Sequence, residues 1–399
     1  MKHRKLFSAL SGLCICLVSS AYAQENTNLD DAWNMAVEKY VERAEEQGIV
    51  GSGLYFVHDG ELVFSEHYGM ADAEERRAVD SDTIFHWASI TKTLTVVAVM
   101  QLVDRGVISL DDPITQYLPE VRKVHNPYGD MDDITLRHLI THTSGFRGST
   151  FPWGGGEEWH PHEPTEWSQI KAMMPYTEIK FEPGSKFSYS NPGISMLGRV
   201  IEEVTGDDIE VYLTKNILMP LGMSNSYFDH TPYYLLKNRS NNYVRDENVI
   251  LEQGLDFDTG ETVGNGGLNA PFSDMIKLLN FWLSVKDNGN YQDILSHDTL
   301  EKMWKPGFPT SDDTVSERMG MGFFVIDHPE AKSGKVRRYI GHTGGQKGFV
   351  SFVYVDPKGE SAALFTSNTN VMNRPRSEQL LRLTRKDLFE TVFPAAANE

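Results

Sequence analysis

Hydrophobic positions recur at two different spacings along the chain, and the spacings separate strand-forming ends from a helix-forming middle. Near the N-terminus, residues 52–58 and 62–68 flank Asp59-Gly60. Two β-rich runs around such a dipeptide predict a hairpin with a tight turn. Strand patterns return in the last third of the chain, at residues 320–327, 336–342, 349–355 and 361–366.

The helical patterns are of two kinds. Residues 29–47 carry apolar positions at helical spacing and are followed by Gly48, which predicts an amphipathic helix. Residues 91–104 are apolar almost all round, which is typical of a helix buried on every side. Further helices are predicted at residues 195–205, 209–217, 273–285 and 377–393.

With strands at both ends and helices between them, the pattern predicts an α/β fold. We expect one antiparallel sheet flanked by helices, with an inserted, mostly helical subdomain. The α/β part is expected at about 28–106 and 290–399, and the helical part at about 107–289. A small-molecule site is expected in the cleft between the two parts.

The first 23 residues have the composition of an export signal. Three basic residues among the first five precede an apolar run from Leu6 to Val18, and Ala21-Tyr-Ala23 is a small-x-small cleavage site. The apolar run is too short for a stable membrane span. We expect cleavage after Ala23, a catalytic domain at 24–399, and a periplasmic or secreted protein. The alternative is an uncleaved N-terminal anchor.

Cysteine content and charge exclude several classes of function. Cys14 and Cys16 both lie in the expected signal, so the mature chain has no disulfide, thiol nucleophile or cysteine-ligated metal. The net charge of −19 disfavours nucleic acid and anionic lipid as partners. We expect a small-molecule or peptide substrate, no nucleic-acid partner, no stable membrane insertion and no cofactor.

Residues 151–167 form a predicted loop that is rich in glycine and aromatic residues. Its His160-Pro-His-Glu163 segment is a poor metal platform, because proline interrupts it and the chain has no His-Glu-x-x-His helix. We therefore expect no metal. The aromatic and glycine residues of this loop are expected instead to form a rim that sets specificity.

Two segments match a Ser-x-x-Lys pattern, Ser89-Ile-Thr-Lys92 and Ser168-Gln-Ile-Lys171. Ser89 begins the most hydrophobic helix of the chain, whereas Ser168 opens a short segment broken by Pro175. Residues three apart share a helix face, so Lys92 can reach Ser89. Burial would lower the pKa of Lys92 and make it a base, and the helix N-terminus favours an oxyanion. We predict that Ser89 is a nucleophile and Lys92 its activator. The alternative is an N-cap serine beside a surface lysine.

Two later segments can supply partners for this pair. Tyr189-Ser-Asn191 lies in a predicted loop before the helix at Ser195, where a phenol can move a proton and an amide can bind substrate. His342-Thr-Gly-Gly345 ends a strand pattern, where glycines allow close approach and a backbone N–H can complete an oxyanion hole. Taken alone, each segment is better explained as a structural turn.

The order of these segments resembles the penicillin-recognising serine hydrolases. That family comprises class C β-lactamases, D-alanyl-D-alanine carboxypeptidases, and related esterases and D-aminopeptidases. Three more segments carry the resemblance, which spans about residues 30 to 395: Phe85-His-Trp-Ala88, Leu139-Ile-Thr-His-Thr-Ser-Gly145 and Gly264-Asn-Gly-Gly-Leu268.

The resemblance implies an acyl-serine mechanism on a β-lactamase/transpeptidase-like fold. Ser89 would be the nucleophile, Lys92 its activator and Tyr189 the acid/base. The oxyanion hole would be formed by the N–H groups of Ser89 and Gly345. The residues implied to contact substrate are Asn191, His342, Thr343 and Gly344.

One residue departs from the class C pattern. Those enzymes carry Lys-Thr-Gly where this chain has His342-Thr-Gly, and a histidine is mostly neutral at pH 7. We therefore expect a D-alanyl-D-alanine carboxypeptidase-like or D-amino-acid peptidase activity. The alternatives are a carboxylesterase with weak or no β-lactamase activity, and a non-catalytic penicillin-binding or sensor protein. A Ser-His-Asp hydrolase is disfavoured, because the chain has no Gly-x-Ser-x-Gly elbow.

Overall fold

The structure is a computed structural model, and it describes residues 11–146, 164–246, 249–254, 259–284, 291–311, 316–330, 334–372 and 374–397. Positions 11–27 are described only as helix backbone. The first ten residues of the expected export signal therefore lie outside the described residues. So does most of the expected specificity rim, including the His160-Pro-His-Glu163 segment.

Fourteen strands are found in the described residues. They are β1 (Gly51–His58), β2 (Glu61–Asp72), β3 (Arg77–Ala78), β4 (Ile84–His86), β5 (Tyr227–Phe228), β6 (Tyr243–Asp246), β7 (Val249–Glu252), β8 (Leu268–Pro271), β9 (Glu317–Met319), β10 (Phe324–Pro329), β11 (Val336–Gln346), β12 (Phe349–Asp356), β13 (Ser361–Ser367) and β14 (Thr369–Val371).

The α-helices of the same part of the chain are α1 (Ser11–Gln47), α2 (Thr91–Asp104), α3 (Ile114–Tyr117), α4 (Leu136–Ile140), α5 (Trp167–Met173), α6 (Asn191–Thr205), α7 (Ile209–Leu213), α8 (Val263–Gly266), α9 (Phe272–Leu283), α10 (Tyr291–Ile294), α11 (His297–Met303), α12 (Leu380–Asp387) and α13 (Phe393–Ala396). Among these and the other described helices, none is both long and apolar enough to cross a membrane.

The largest sheet is assembled from both ends of the chain, as the pattern predicts. Its strand order is β3-β2-β1-β13-β12-β11-β10-β9, and its paired strands are antiparallel. Asp59 and Gly60 connect β1 to β2 with φ of 50° and 72°. Two positive φ values in succession are what a tight hairpin turn requires.

Helices cover both faces of this sheet. On one face, α1 packs with α12 and α13 around buried aromatic residues of α1, of the sheet and of the C-terminal helices, which are Tyr40, Phe56, Phe365, Phe389 and Phe393. On the other face, the core includes α2, in which every residue from Thr91 to Leu102 is buried. The all-round apolar pattern of residues 91–104 thus reflects a helix that is enclosed by protein.

The middle of the chain holds short strands as well as helices. β4, β8 and β5 form one small sheet, and β14, β6 and β7 form another. Helix α9 lies in the stretch we assigned to the helical part, yet its Phe272 stacks on Tyr55 of the large sheet with ring centroids 4.0 Å apart. The division into an α/β part and a helical part stays a proposal.

Helix α6 begins four residues earlier than predicted. We expected a loop up to Ser195, but Asn191 is already the first helical residue. Ser190 Oγ accepts a hydrogen bond from Gly193 N at 3.1 Å, which caps the helix. Pro192 fits because the first helical turn needs no donor from its nitrogen. Tyr189 therefore stands directly before a capped helix.

Candidate active site

Ser89 lies in a short 3₁₀ turn, Ala88–Ile90, that leads directly into α2. Ala88 has a φ of 48°, in the left-handed region that residues other than glycine rarely adopt. Ala88 and Ile90, the two neighbours of Ser89, are buried, whereas Ser89 itself is partly exposed. The turn thus presents the hydroxyl of Ser89 outward from an otherwise buried segment.

Lys92 is completely buried one helical turn further along. Its Nζ lies 3.0 Å from Ser89 Oγ and donates to the backbone oxygen of Asn265 at 2.7 Å. Burial lowers the pKa of Lys92 well below its ordinary value. Burial thus favours the neutral amine, whose electron pair can accept the proton of Ser89.

Tyr189, which stands just before α6, approaches the same serine. Its hydroxyl shares a hydrogen bond with the Ser89 side chain, and Lys92 Nζ lies 5.1 Å from the centroid of its ring. Burial raises the pKa of Tyr189 above its ordinary value. The phenol therefore keeps its proton, and it can relay one between Lys92 and a leaving group.

The end of β11 forms another wall of the site. The pairing of β10 with β11 stops at Phe324 and Gly341, so beyond that point β11 pairs only with β12. A Cβ on Gly344 would lie 2.2 Å from the backbone oxygen of Trp87. The absence of a side chain therefore lets β11 pack closely against the turn that carries Ser89.

The predicted oxyanion residue Gly345 follows directly on this strand. It is exposed, and nothing lies within 4 Å of where its Cβ would be. Thr343, predicted to contact substrate, is half-buried on the same strand. Both stand on the stretch of β11 beyond its pairing with β10. The space around Gly345 lets a substrate carbonyl approach the backbone there.

His342 is buried rather than displayed on the surface, with 1% of its area exposed. Its Nδ1 donates to the backbone oxygen of Thr343 at 2.6 Å, and its Nε2 has no hydrogen-bond partner among the described residues. Its ring centroid lies 6.1 Å from that of Tyr189. Burial, together with Lys92, lowers the pKa of His342 to about 3, so the imidazole is neutral.

The second Ser-x-x-Lys match lies in a different environment. Ser168 and Lys171 are exposed on α5, and Ser168 Oγ donates to Glu166 at 3.1 Å. Neither side chain is desolvated, so Lys171 lacks the burial that makes Lys92 a base. The structure thus brings Lys92 and Tyr189 to Ser89, and within the described residues it brings no such partners to Ser168.

Two contributors to the site were missed at the level of sequence. Asn265 was noted only within a resembling segment, yet its backbone oxygen binds Lys92, and its Nδ2 donates to Ser195 at 2.7 Å. His142 stacks on Tyr189 with ring centroids 4.6 Å apart. A backbone carbonyl has no side-chain signature, so only the packing of α8 against α2 reveals the contact from Asn265.

No group of metal-ligating side chains occurs within the described ranges.

The pKa values of these groups predict the pH dependence of hydrolysis. Protonated Lys92 cannot accept the proton of Ser89, so kcat/KM should fall as pH drops through the lowered pKa of Lys92. His342 has its pKa near 3 and should not contribute to that acidic limb. A pH profile of His342→Gln should therefore show the limb at the wild-type position. A limb that disappears in this variant would assign the titration to His342 instead.

Sequence comparisons identify the family of the chain. The beta-lactamase family model matches residues 36–386. Esterase EstB of Burkholderia gladioli is 32% identical over 190 residues, which are 46% of this chain and 48% of the esterase. Penicillin-binding protein 4* of Bacillus subtilis strain 168 is 25% identical over 316 residues, 74% of this chain and 64% of that protein. The matched region thus spans less than two thirds of each relative.

Solved structures agree as well. The octameric penicillin-binding protein homologue from Pyrococcus abyssi superposes with a TM-score of 0.73 at 25% identity, over 90% of this chain and 78% of that one. A D-stereospecific amidohydrolase from Streptomyces has a TM-score of 0.67 at 22% identity, over 84% and 94%, and shows the fold alone. These matches confirm the predicted α/β fold. Because the family model matches most of its length, the chain belongs to the beta-lactamase family of serine hydrolases.

Proposed function

We propose that this protein hydrolyses carboxylic esters, and related amides, through an acyl-serine intermediate on Ser89. The observation that carries the proposal is the 3.0 Å contact between Ser89 Oγ and the fully buried amine of Lys92. A desolvated lysine beside a partly exposed serine is the arrangement that activates such a nucleophile. One relative, EstB of Burkholderia gladioli, is named as an esterase.

In the proposed reaction, Ser89 Oγ attacks the carbonyl carbon while Lys92 takes its proton. The N–H groups of Ser89 and Gly345 hold the oxyanion. As the tetrahedral intermediate collapses, the bond to the leaving group breaks and a proton passes from Lys92 through the Tyr189 hydroxyl to the leaving oxygen or nitrogen. A water molecule then attacks the acyl carbon while Lys92 and Tyr189 take its proton. The bond from the acyl carbon to Ser89 Oγ breaks, the proton passes to Oγ, and the carboxylic acid leaves.

The charges around the site favour a substrate that is neutral on its leaving-group side. Among the described residues, Lys92 is the one cationic side chain whose field acts on the pKa of both His142 and His342. Burial lowers the pKa of Lys92 well below its ordinary value, so its charge is not permanent. A terminal carboxylate would therefore enter a desolvating site without a fixed positive charge, which is costly. Sequence alone favoured a carboxypeptidase-like activity, whereas the lack of a fixed positive charge favours esters.

A matched pair of depsipeptides tests this proposal. N-acetyl-D-alanyl-D-lactate and its methyl ester contain the same scissile ester and differ in the terminal carboxylate. We expect kcat/KM for the methyl ester to be higher by at least about tenfold, a ratio within reach of a single unpaired polar group. A tenfold preference for the free acid would restore the carboxypeptidase assignment. Nitrocefin, measured beside them, reports any β-lactamase activity.

Export is a second, independent part of the proposal. It is supported by the basic, apolar and small-x-small segments that precede Ala23. In this proposal the mature enzyme starts after Ala23, acts in the periplasm or outside the cell on a small-molecule or peptide substrate, and needs no metal or cofactor.

A further inference from the structure

One residue from a different element holds the segment that carries Tyr189. His142 lies shortly after α4, and its backbone oxygen accepts a hydrogen bond from Ser188 N at 2.8 Å. Its Nδ1 accepts a second bond from Ser190 N at 3.1 Å. Between these two anchors, the imidazole stacks on the Tyr189 ring with centroids 4.6 Å apart and planes 26° apart. His142 thus contacts three successive residues, of which Tyr189 is the middle one.

The backbone of His142 is itself held in an uncommon conformation. Its φ of 56° lies in the left-handed region, which non-glycine residues adopt only when their surroundings specify it. Its N–H donates to the backbone oxygen of Leu139 at 3.1 Å, and the next residue, Thr143, donates to His138 O at 2.8 Å. These bonds turn the chain after α4 so that His142 points its side chain at the Tyr189 segment.

The bond to Ser190 also determines the protonation of the ring. A backbone N–H can only donate, so Nδ1 must be unprotonated and the proton of the neutral ring resides on Nε2. The side chain is completely buried. Burial, followed by the fields of Lys92 and His342, lowers the pKa of His142 well below its ordinary value. Burial thus favours the unprotonated Nδ1, which is the form that accepts the bond from Ser190.

We propose that His142 is a positioning residue that fixes the Tyr189 hydroxyl for proton transfer at Ser89. The inference rests on the proposed function, because it requires Tyr189 to act as the acid/base. The residues on either side of Tyr189, Ser188 and Ser190, each donate a backbone hydrogen bond to His142. Releasing these anchors would let the hydroxyl move relative to Ser89 Oγ, and a displacement of about 1 Å at a reacting group can cost roughly 10²-fold in rate.

Two substitutions separate the anchoring from the general stability of the fold. His142→Ala removes the ring and the acceptor for Ser190 N, and we expect it to lower kcat about 10- to 100-fold with KM changed less than about threefold. His142→Asn keeps an acceptor at the Nδ1 position and tolerates the left-handed backbone, so we expect it to restore kcat to within about threefold of wild type. Both are measured on p-nitrophenyl acetate, with thermal unfolding in parallel.

His138 provides a matched control. It lies on α4, is half-buried, and its Nδ1 likewise accepts a backbone bond, from Thr135 N at 3.2 Å. That bond lies outside the Tyr189 segment. His138→Ala should therefore keep the wild-type kcat even if it unfolds at a lower temperature. An equal loss of kcat in His138→Ala and His142→Ala would reduce the role of His142 to ordinary stability and overturn the proposal.

A double-mutant cycle distinguishes this proposal from the mechanism beneath it. Tyr189→Phe alone should lower kcat by roughly 10²- to 10⁴-fold. Adding His142→Ala should then cost less than about threefold more, because the hydroxyl that it positions is already gone. A normal rate in Tyr189→Phe would overturn the proposed acid/base and leave His142 nothing to position.

The remaining outcomes bear on His142 alone. If Tyr189→Phe is slow while His142→Ala has the wild-type kcat, the positioning role is wrong and the mechanism stands. The same holds if the two losses multiply. Should His142→Ala fail to fold, His142→Asn decides the matter: a folded His142→Asn protein with a tenfold or greater loss of kcat overturns the proposal.

Discussion

Replacing Ser89 by alanine is expected to abolish hydrolysis of every ester and amide substrate. We expect kcat/KM to fall by roughly 10⁶-fold, as when other serine hydrolases lose their nucleophile. The reason is that Oγ forms the acyl bond, and it is the hydroxyl that contacts both Lys92 and Tyr189. Ser89 is partly exposed, so the variant should unfold at the wild-type temperature. Intact-mass analysis after fluorophosphonate treatment should show one adduct on wild type and none on Ser89→Ala.

Ser168→Ala is the matched control for this experiment. It removes the hydroxyl of the other Ser-x-x-Lys match, which lies exposed and bonded to Glu166. This variant should retain the adduct and the full rate. An adduct that survives Ser89→Ala, or an inactive Ser168→Ala, would show that the nucleophile is assigned wrongly. A fluorescent penicillin that labels Ser89 while no substrate is turned over would indicate a sensor instead of a hydrolase.

Replacing Lys92 is expected to have the second largest effect. Lys92→Ala should slow acylation by roughly 10²- to 10⁴-fold, the usual contribution of a general base. Ser89 would keep its place in the turn but lose the group 3.0 Å away that takes its proton. The measurement is the burst phase of p-nitrophenyl ester hydrolysis, in which a slower acylation step lowers the burst rate directly.

Lys92→Met separates chemistry from packing in this test. Methionine nearly fills the volume of the buried lysine stem, so α2 keeps its contacts. The backbone oxygen of Asn265 loses a donor, which destabilises the fold by about 1–3 kcal/mol. Removing a desolvated amine from the core stabilises the fold and offsets this loss. The free energy of unfolding should therefore change little while acylation falls as in Lys92→Ala. Near-normal acylation in either variant would exclude Lys92 as the activator.

Local patterns were sufficient for those parts of the fold that depend on near neighbours. The alternation around Asp59-Gly60 predicted β1 and β2, because a two-residue turn and a period of two are local properties. The uninterrupted apolar character of residues 91–104 predicted α2 with the observed bounds. The short strands β4, β5 and β8 were not predicted, since at two to four residues they carry no period and form by pairing with one another.

The start of α6 shows where local signals compete. Gly and Pro around Tyr189 favoured a loop up to Ser195, yet the Ser190 cap and Pro192 are equally suited to a first helical turn. Helix boundaries are decided by a balance of small terms, and burial of the α6 face tips that balance here. Asn191, which we expected in a loop, is therefore the first residue of α6.

The sequence by itself determined the central pair of this protein. Ser89 and Lys92 stand three residues apart beside a helix with no polar face, and helix geometry brings such residues together whatever the rest of the fold does. Only the tertiary structure decided what surrounds them: the Asn265 oxygen on Lys92, the Tyr189 hydroxyl on Ser89, and His142 behind Tyr189. These contacts join elements far apart in the chain, and the lowered pKa of Lys92 depends on what covers it. Desolvation belongs to the packed molecule, because neighbours along the chain cannot by themselves exclude water.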